Sequence, residues 1–286
     1  MIPVGGSGGE DSHRREVFFV ATSPWRGCKV DQVKHSDTKA VLLVGGLGTR
    51  LRSAVRSAPK VLASVGNKSF LELLIGQLRS QGIHRLVMCS GYLADQIESE
   101  FGSGQSWDVA IEYSREQQPL GTAGAVKLAT RYLKDESEFL VMNGDSFLEI
   151  DFHSFAEFHR SHDAIATIAI FKVENTSRYG TVNVAANGRV LGFAEKAGRA
   201  VPGLVNGGVY IFKQAVLQCI SEQPSSLEKD IFPRLVDRGV YAQEQRGMFI
   251  DIGTPEDYAR AQGLCDSLNN AAFRGGLSGS VRDDVG

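Results

Sequence analysis

Lys39-Ala40-Val41-Leu42-Leu43-Val44-Gly45-Gly46-Leu47-Gly48-Thr49-Arg50-Leu51 is the stretch on which the fold turns. Residues 39–44 are a short apolar run closed by glycines, the pattern of a strand buried on both faces of a parallel sheet. Glycine has no Cβ, so the loop at 45–48 lets backbone approach a ligand closely and adopt positive φ. Successive N–H groups at such a turn cradle an anion. Arg50 adds a planar, permanently charged donor fork suited to phosphate oxygens. No Gly-Lys-Ser/Thr follows, so this is not a Walker loop. Leu51 stands where the third glycine of a dinucleotide fingerprint would fall. Taken alone, the loop also suits a plain strand-to-helix turn.

Outward from it, strands alternate with helices. The spacing of Leu71, Leu74, Ile75 and Leu78 predicts a helix over 70–81, with Gly82 as its stop. Strands are expected at 85–89, 109–113 and 139–142, and helices at 93–101 and 122–133. Such alternation implies βαβ units, with ligands bound at the carboxyl ends of the strands. After Asp151 the rhythm becomes β-rich, with strands at 164–171, 181–184, 190–193 and 204–212. Asn187-Gly188 is a hairpin signal. Helices return at 227–237 and 255–264. The expected class is α/β: a Rossmann-like nucleotide-binding fold with a mixed, mainly parallel central sheet and a β-rich half. The expected domain spans 38–265, divided into a nucleotide-binding half (38–150) and a sugar-phosphate half (151–265). Residues 1–37, with a possible docked strand at 17–21, read as a poorly ordered extension, and 266–286 as a flexible tail.

Composition excludes several classes. In 286 residues, 42% hydrophobic and 22% charged content fits neither a disordered chain nor a coiled coil. With 31 Lys+Arg against 33 Asp+Glu, the net charge of −2 offers no basic excess for nucleic acid. No apolar stretch approaches the roughly 18 residues of a membrane helix. Cys28, Cys89, Cys219 and Cys265 are scattered without a CxxC pair, which argues against a disulfide framework or zinc site and for reduced thiols in a cytoplasmic protein.

Pro59-Lys60 follows the glycine loop, giving GGxGTRL…PK. This resembles the signature of the sugar-1-phosphate nucleotidyltransferases, or nucleoside-diphosphate-sugar pyrophosphorylases. Further segments match in order over 39–262: Gln118-Pro119-Leu120-Gly121-Thr122-Ala123-Gly124, Asn143-Gly144-Asp145, Glu195-Lys196, Asn206-Gly207-Gly208-Val209-Tyr210 and Asp251-Ile252-Gly253-Thr254-Pro255. One departure is Lys68-Ser69, where many members carry Lys-Pro before the first long helix. Local details such as Arg178-Tyr179-Gly180-Thr181-Val182 and Ser226-Leu227-Glu228-Lys229-Asp230 look closest to the D-glycero-α-D-manno-heptose 1-phosphate guanylyltransferases.

The resemblance implies a nucleotide-diphospho-sugar transferase type of fold and attack of a sugar 1-phosphate on the α-phosphorus of a nucleoside triphosphate, releasing pyrophosphate. It places charge stabilisation on Arg50 and Lys60, and Mg²⁺ on Asp145 and Asp251. Nucleotide contacts fall on Val44, Gly45, Gly46, Gly48, Thr49, Glu116, Pro119, Gly121 and Thr122. Sugar-phosphate contacts fall on Asn143, Gly144, Tyr179, Gly180, Glu195, Lys196, Asn206 and Gly207. Each has a plainer reading: Asp145 or Asp251 as a helix N-cap, Glu195–Lys196 as a solvated pair, Asn206 as a turn residue. GTP is the expected nucleotide, because a carboxylate at Glu116 can accept from both N1–H and the N2 amino group of guanine. If Glu116 points to solvent instead, Gln117 or Gln118 reads the base and uridine re-enters. The alternatives are a uridylyl-, thymidylyl- or guanylyltransferase for another hexose 1-phosphate (mannose, glucose or N-acetylmuramic acid 1-phosphate), or an inactive sugar-nucleotide-binding module.

Overall fold

The computed structural model describes residues 38–51, 58–194, 198 and 200–273. The expectations for 1–37 and 274–286 lie outside these residues. In chain order the elements are β1 (Lys39–Leu43), β2 (Ser64–Val65), β3 (Lys68–Ser69), α1 (Phe70–Ser80), β4 (Arg85–Ser90), α2 (Ala94–Phe101), β5 (Ala110–Arg115) and α3 (Gly121–Leu128). There follow β6 (Glu138–Asn143), β7 (Ser146–Leu148), α4 (Phe152–Ser161), β8 (Ala166–Val173), β9 (Thr181–Val184), β10 (Val190–Ala194) and β11 (Gly203–Lys213). The chain continues through α5 (Phe232–Leu235), β12 (Val240–Gln245), β13 (Phe249–Asp251), α6 (Pro255–Gly263) and α7 (Cys265–Phe273).

A nine-stranded mixed sheet runs β10-β9-β11-β6-β1-β4-β5, with β8 on β11 and β12 on β8. Strands β6, β1, β4 and β5 are mutually parallel, and β11 joins β6 antiparallel. Both expected halves therefore share one sheet. In β1 the period-2 alternation divides the core in two. Ala40 and Leu42 pack with α1 through Leu71, Leu74 and Leu78, while Val41 packs with Ala123 and Val126 of α3. No helix among the described residues is long and apolar enough to cross a membrane.

Three local findings revise the sequence reading. Ser69, the departure from Lys-Pro, is the N-cap of α1. Its hydroxyl accepts from Glu72 N at 3.3 Å, and Glu72 accepts from Ser69 N at 2.5 Å, a capping box typically worth about 1 kcal/mol. Residues 152–161, to which the sequence reading assigned no element, form α4, because Phe152, Phe155, Ala156 and His159 share a buried face and Asp151 caps the first turn. The expected tail begins too early, since 265–273 is α7 with Leu268 and Ala272 buried.

One irregularity serves the site. The pairing of β11 with β8 shifts register between Asn206 and Tyr210. The bulge carries Gly208 at φ +76°, a conformation open to glycine.

Candidate active site

The glycine loop leaves β1 at the carboxyl end of the parallel strands and forms one wall of a cleft of about 440 Å³. Of the expected residues, Val44, Gly45, Gly46, Gly48, Thr49 and Arg50 line it from the loop, and Lys60 from the turn after Pro59. Glu116, Pro119, Gly121 and Thr122 line it from the β5–α3 connection, and Asn143 and Asp145 from the end of β6. A second cleft, of about 290 Å³, is lined by Tyr179, Gly180, Asn206, Asp251 and Arg178. Arg50 and Gly253 belong to both clefts, so the two cavities meet at a guanidinium.

Glu116 faces the first cleft and not open solvent. Its carboxylate accepts from Leu120 N at 3.1 Å, and burial pushes its pKa up. Gly45 and Gly91 make room for it: a Cβ would stand 3.0 Å from Glu116 Oε1 at Gly45 and 2.7 Å at Gly91. Gln117 and Gln118 are exposed.

The two aspartates meet because β7 and β13 pair antiparallel, with Asp251 opposite Ser146, and Ile252 N donates to Asp145 O at 2.9 Å. Lys60 Nζ lies 2.6 Å from Asp145 Oδ2. Burial, and then the Asp145 carboxylate, push the Asp251 pKa up, against the pull of Lys60 and the Gly253 N–H. Neither aspartate is an N-cap. β7 follows Asp145, and the N-cap of α6 is Thr254, whose side chain accepts from Asp257 N. Among the described residues no group of three or more His, Cys, Asp or Glu side chains is arranged to hold a metal. Two crowded carboxylates beside open cleft fit a hard cation that takes its remaining oxygens from phosphate and water.

The other expected contacts sort differently. Asn143, expected toward the sugar phosphate, lines the first cleft. Gly144 and Gly207 are packing positions: a Cβ would stand 2.7 Å from Leu43 O at the former and 2.7 Å from Leu148 Cδ2 at the latter. Glu195 and Lys196 lie outside the described residues. Arg178 was missed as a site residue. Its guanidinium grips both oxygens of buried Asp257 and donates to Thr254 Oγ1 at 3.3 Å, tying the wall that carries Tyr179 to the start of α6. The signal was present, since Arg178 adjoins Tyr179-Gly180 and Asp257 lies two residues beyond the Asp251–Pro255 segment. Cys89 also lines the first cleft, but burial raises its thiol pKa far above the usual range, and it donates to Ala125 O.

Residues 39–266 match the family model described as Nucleotidyl transferase. The chain is 39% identical over 226 residues to D-glycero-alpha-D-manno-heptose 1-phosphate guanylyltransferase of Aneurinibacillus thermoaerophilus, covering 78% of this chain and 96% of that protein. It is 38% identical over 240 residues to mannose-1-phosphate guanyltransferase beta-B of Xenopus laevis, covering 82% of this chain but only 66% of that protein. The crystal structure of HddC from Yersinia pseudotuberculosis complexed with GMP-PN superposes with a TM-score of 0.70 at 33% identity, over 79% of this chain and 98% of that one. With a family model spanning the sheet, both clefts and the paired aspartates, the chain belongs to the nucleotidyl transferase family, among the sugar-1-phosphate nucleotidyltransferases.

Proposed function

We propose that this protein transfers a guanylyl group from GTP to a manno-configured sugar 1-phosphate and releases pyrophosphate. The observation that carries the reading is the junction of the two clefts at Arg50 and Gly253. A triphosphate in the larger cavity and a sugar phosphate in the smaller would present an attacking oxygen and the α-phosphorus to one guanidinium. The attacking phosphate is already ionised near neutral pH, so the chain supplies no general base. Its work is alignment and charge neutralisation. The Gly45–Thr49 backbone wraps the triphosphate, Arg50 and Lys60 offset charge growing on the α-phosphate and the leaving pyrophosphate, and Asp145 holds Lys60 in place. Asp145 and Asp251 would hold Mg²⁺, which when bound neutralises phosphate oxygens. The described cysteines are free thiols, in keeping with a reducing, cytoplasmic setting.

Guanine is favoured by Glu116, an acceptor-only group in the nucleotide cleft, and by relatives named guanylyltransferases. The heptose 1-phosphate is our first reading for the sugar. Mannose 1-phosphate is the second, supported by the 38% identity to the frog enzyme beside 39% to the heptose enzyme. The test is pyrophosphate release over a matrix of GTP, UTP, dTTP and ATP against heptose, mannose and glucose 1-phosphates, with and without a chelator. GTP with a manno-configured partner and loss of turnover in chelator are expected. Glu116→Gln should shrink the GTP/UTP ratio of kcat/KM at least about tenfold, since it leaves a guanine donor unpaired. A wild-type preference for UTP or dTTP overturns the guanylyl reading.

A further inference from the structure

The loop between β8 and β9 brings Tyr179 and Gly180 to the second cleft and is fastened from two sides. On one side Thr176 holds Val201: its backbone N–H and its hydroxyl both donate to Val201 O, at 3.0 and 2.9 Å. Tyr179 N donates back to Thr176 O at 2.9 Å and closes the turn. On the other side stands Arg178. Its side chain is half exposed, yet that of its partner Asp257 is only 6% exposed. Nη1 donates to Asp257 Oδ1 at 3.3 Å, and Nη2 donates to Asp257 Oδ2 and to Thr254 Oγ1. Two nitrogens of one guanidinium on two oxygens of one carboxylate fix direction as well as distance.

Asp257 is itself held in place. It lies in the first turn of α6, where its N–H donates to Thr254 Oγ1 at 3.3 Å and that hydroxyl donates to Asp257 Oδ2 at 3.0 Å. Further along α6, Tyr258 Oη donates to Ser64 O at 2.6 Å, and Gln262 Nε2 donates to the same carbonyl. Gln262 Oε1 accepts from Gly66 N at 3.1 Å. Ser64 follows Lys60 in one short segment, and Asp251 and Gly253 run directly into α6. The helix is therefore a post tied to the lysine segment and to the aspartate strand, and Arg178 ties the Tyr179 loop to that post.

We propose that Arg178 and Asp257 are positioning residues for the sugar phosphate: their ion pair latches the Tyr179–Gly180 loop to α6 and so fixes the second cleft against Asp251 and Gly253. This rests on the proposed transfer reaction. The attacking oxygen belongs to the phosphate carried by the sugar, so a small drift of this wall misaligns the attack. The rival role for Arg178 is direct contact with that phosphate. Its geometry argues against this, because both terminal nitrogens are engaged by a buried carboxylate that cancels the charge. Arg50, which lines both clefts, is the guanidinium left for phosphate. Asp257 lines neither cleft, so it acts only through Arg178 and the start of α6.

Arg178→Met, Asp257→Asn and the double variant of the full chain are the test. Arg178 is exposed, and asparagine keeps the shape of Asp257, so each variant is suited to fold. Hydrogen exchange of the free protein, read by mass spectrometry, should run at least about fivefold faster over 174–181 in each variant, with 39–51 unchanged, as a local opening does. In pyrophosphate release with GTP and mannose 1-phosphate, each single variant should raise the sugar-phosphate KM at least about fivefold, the scale of one lost hydrogen bond, and leave the GTP KM unchanged. The double variant should be no worse than the worse single one, since both remove the same contact. A raised sugar-phosphate KM in Arg178→Met beside a wild-type value in Asp257→Asn would assign Arg178 to the phosphate and overturn the latch. Unchanged exchange over 174–181, or a lowered thermal midpoint with both KM values unchanged, would overturn it too. If the wild type releases no pyrophosphate with any pair, the transfer reaction falls, while exchange over 174–181 still decides the latch.

Discussion

Lys60 sits where two needs meet. Its ammonium is 2.6 Å from Asp145 Oδ2 and its side chain is mostly buried, so in the free protein it partly neutralises the carboxylate pair. It also lines the triphosphate cleft, where charge grows as pyrophosphate departs. Lys60→Met should lower kcat by about 10²–10³ and raise KM for GTP far less, because one charge-stabilising donor acts chiefly in the transition state. Steady-state kinetics with folded variant decide it, and a change confined to KM would assign Lys60 to binding alone. Residues of this kind were legible in the chain, since loop glycines, Arg50, Lys60 and the two aspartates sit in short motifs whose chemistry shows in their letters. The ion pair of Arg178 with Asp257 was not legible. Each reads as a charge within its own segment, and only the fold brings the two together.

Elements divide along the same line. The parallel strands and α1 could be read because apolar runs and a 3.6-residue period are local properties. The segment after Ser226 could not be read correctly. A single helix was expected over 227–237, whereas the structure has a π-helical turn at Leu227–Ile231, then α5 and a 3₁₀ turn. Tertiary bonds from Glu228 to Thr122 and Tyr210 override the local period there. α7 was hidden because its docking depends on a gap in another helix. Gly76 of α1 leaves the space taken by Phe273, whose ring would lie 2.4 Å from a Cβ at that position, with Lys68 Nζ 5.0 Å from the ring centroid. In an exposed helix Gly→Ala gains about 1 kcal/mol of propensity. Here Gly76→Ala should lower the urea midpoint in the wild type by displacing α7, yet raise it in a Phe273→Ala background where the space is empty. The same sign in both backgrounds would show that Phe273 does not use the gap.

At the scale of the whole molecule, the sheet that joins the two clefts also buries a titratable group far from the chemistry. His159 of α4 is fully buried against β8. Its Nδ1 is 2.7 Å from Thr167 Oγ1, and its Nε2 has no partner among the described residues. Burial pushes its pKa down to about 4. Glu138 of β6 and Asp163 pull it up, while Lys213 of β11 and the neighbouring Arg160 push it down. A protonated ring would need an acceptor at Nε2 that the core does not offer. In the unfolded chain the imidazole titrates near 6.5. Between about pH 6.5 and 4 the unfolded state therefore binds a proton that the folded state refuses, and stability falls as pH falls through that window. Integrated over the window the loss from this one group is at most about 3 kcal/mol, a sizeable part of a typical folding free energy of about 5–15 kcal/mol. His159→Asn keeps a short polar group near Thr167 and removes the titration. It should be less stable than wild type at pH 7, through the lost ring volume, and should lose clearly less stability between pH 7 and pH 4.5. Urea unfolding of both proteins at the two pH values measures this difference. Equal losses in wild type and variant would assign the acid sensitivity to the carboxylates instead.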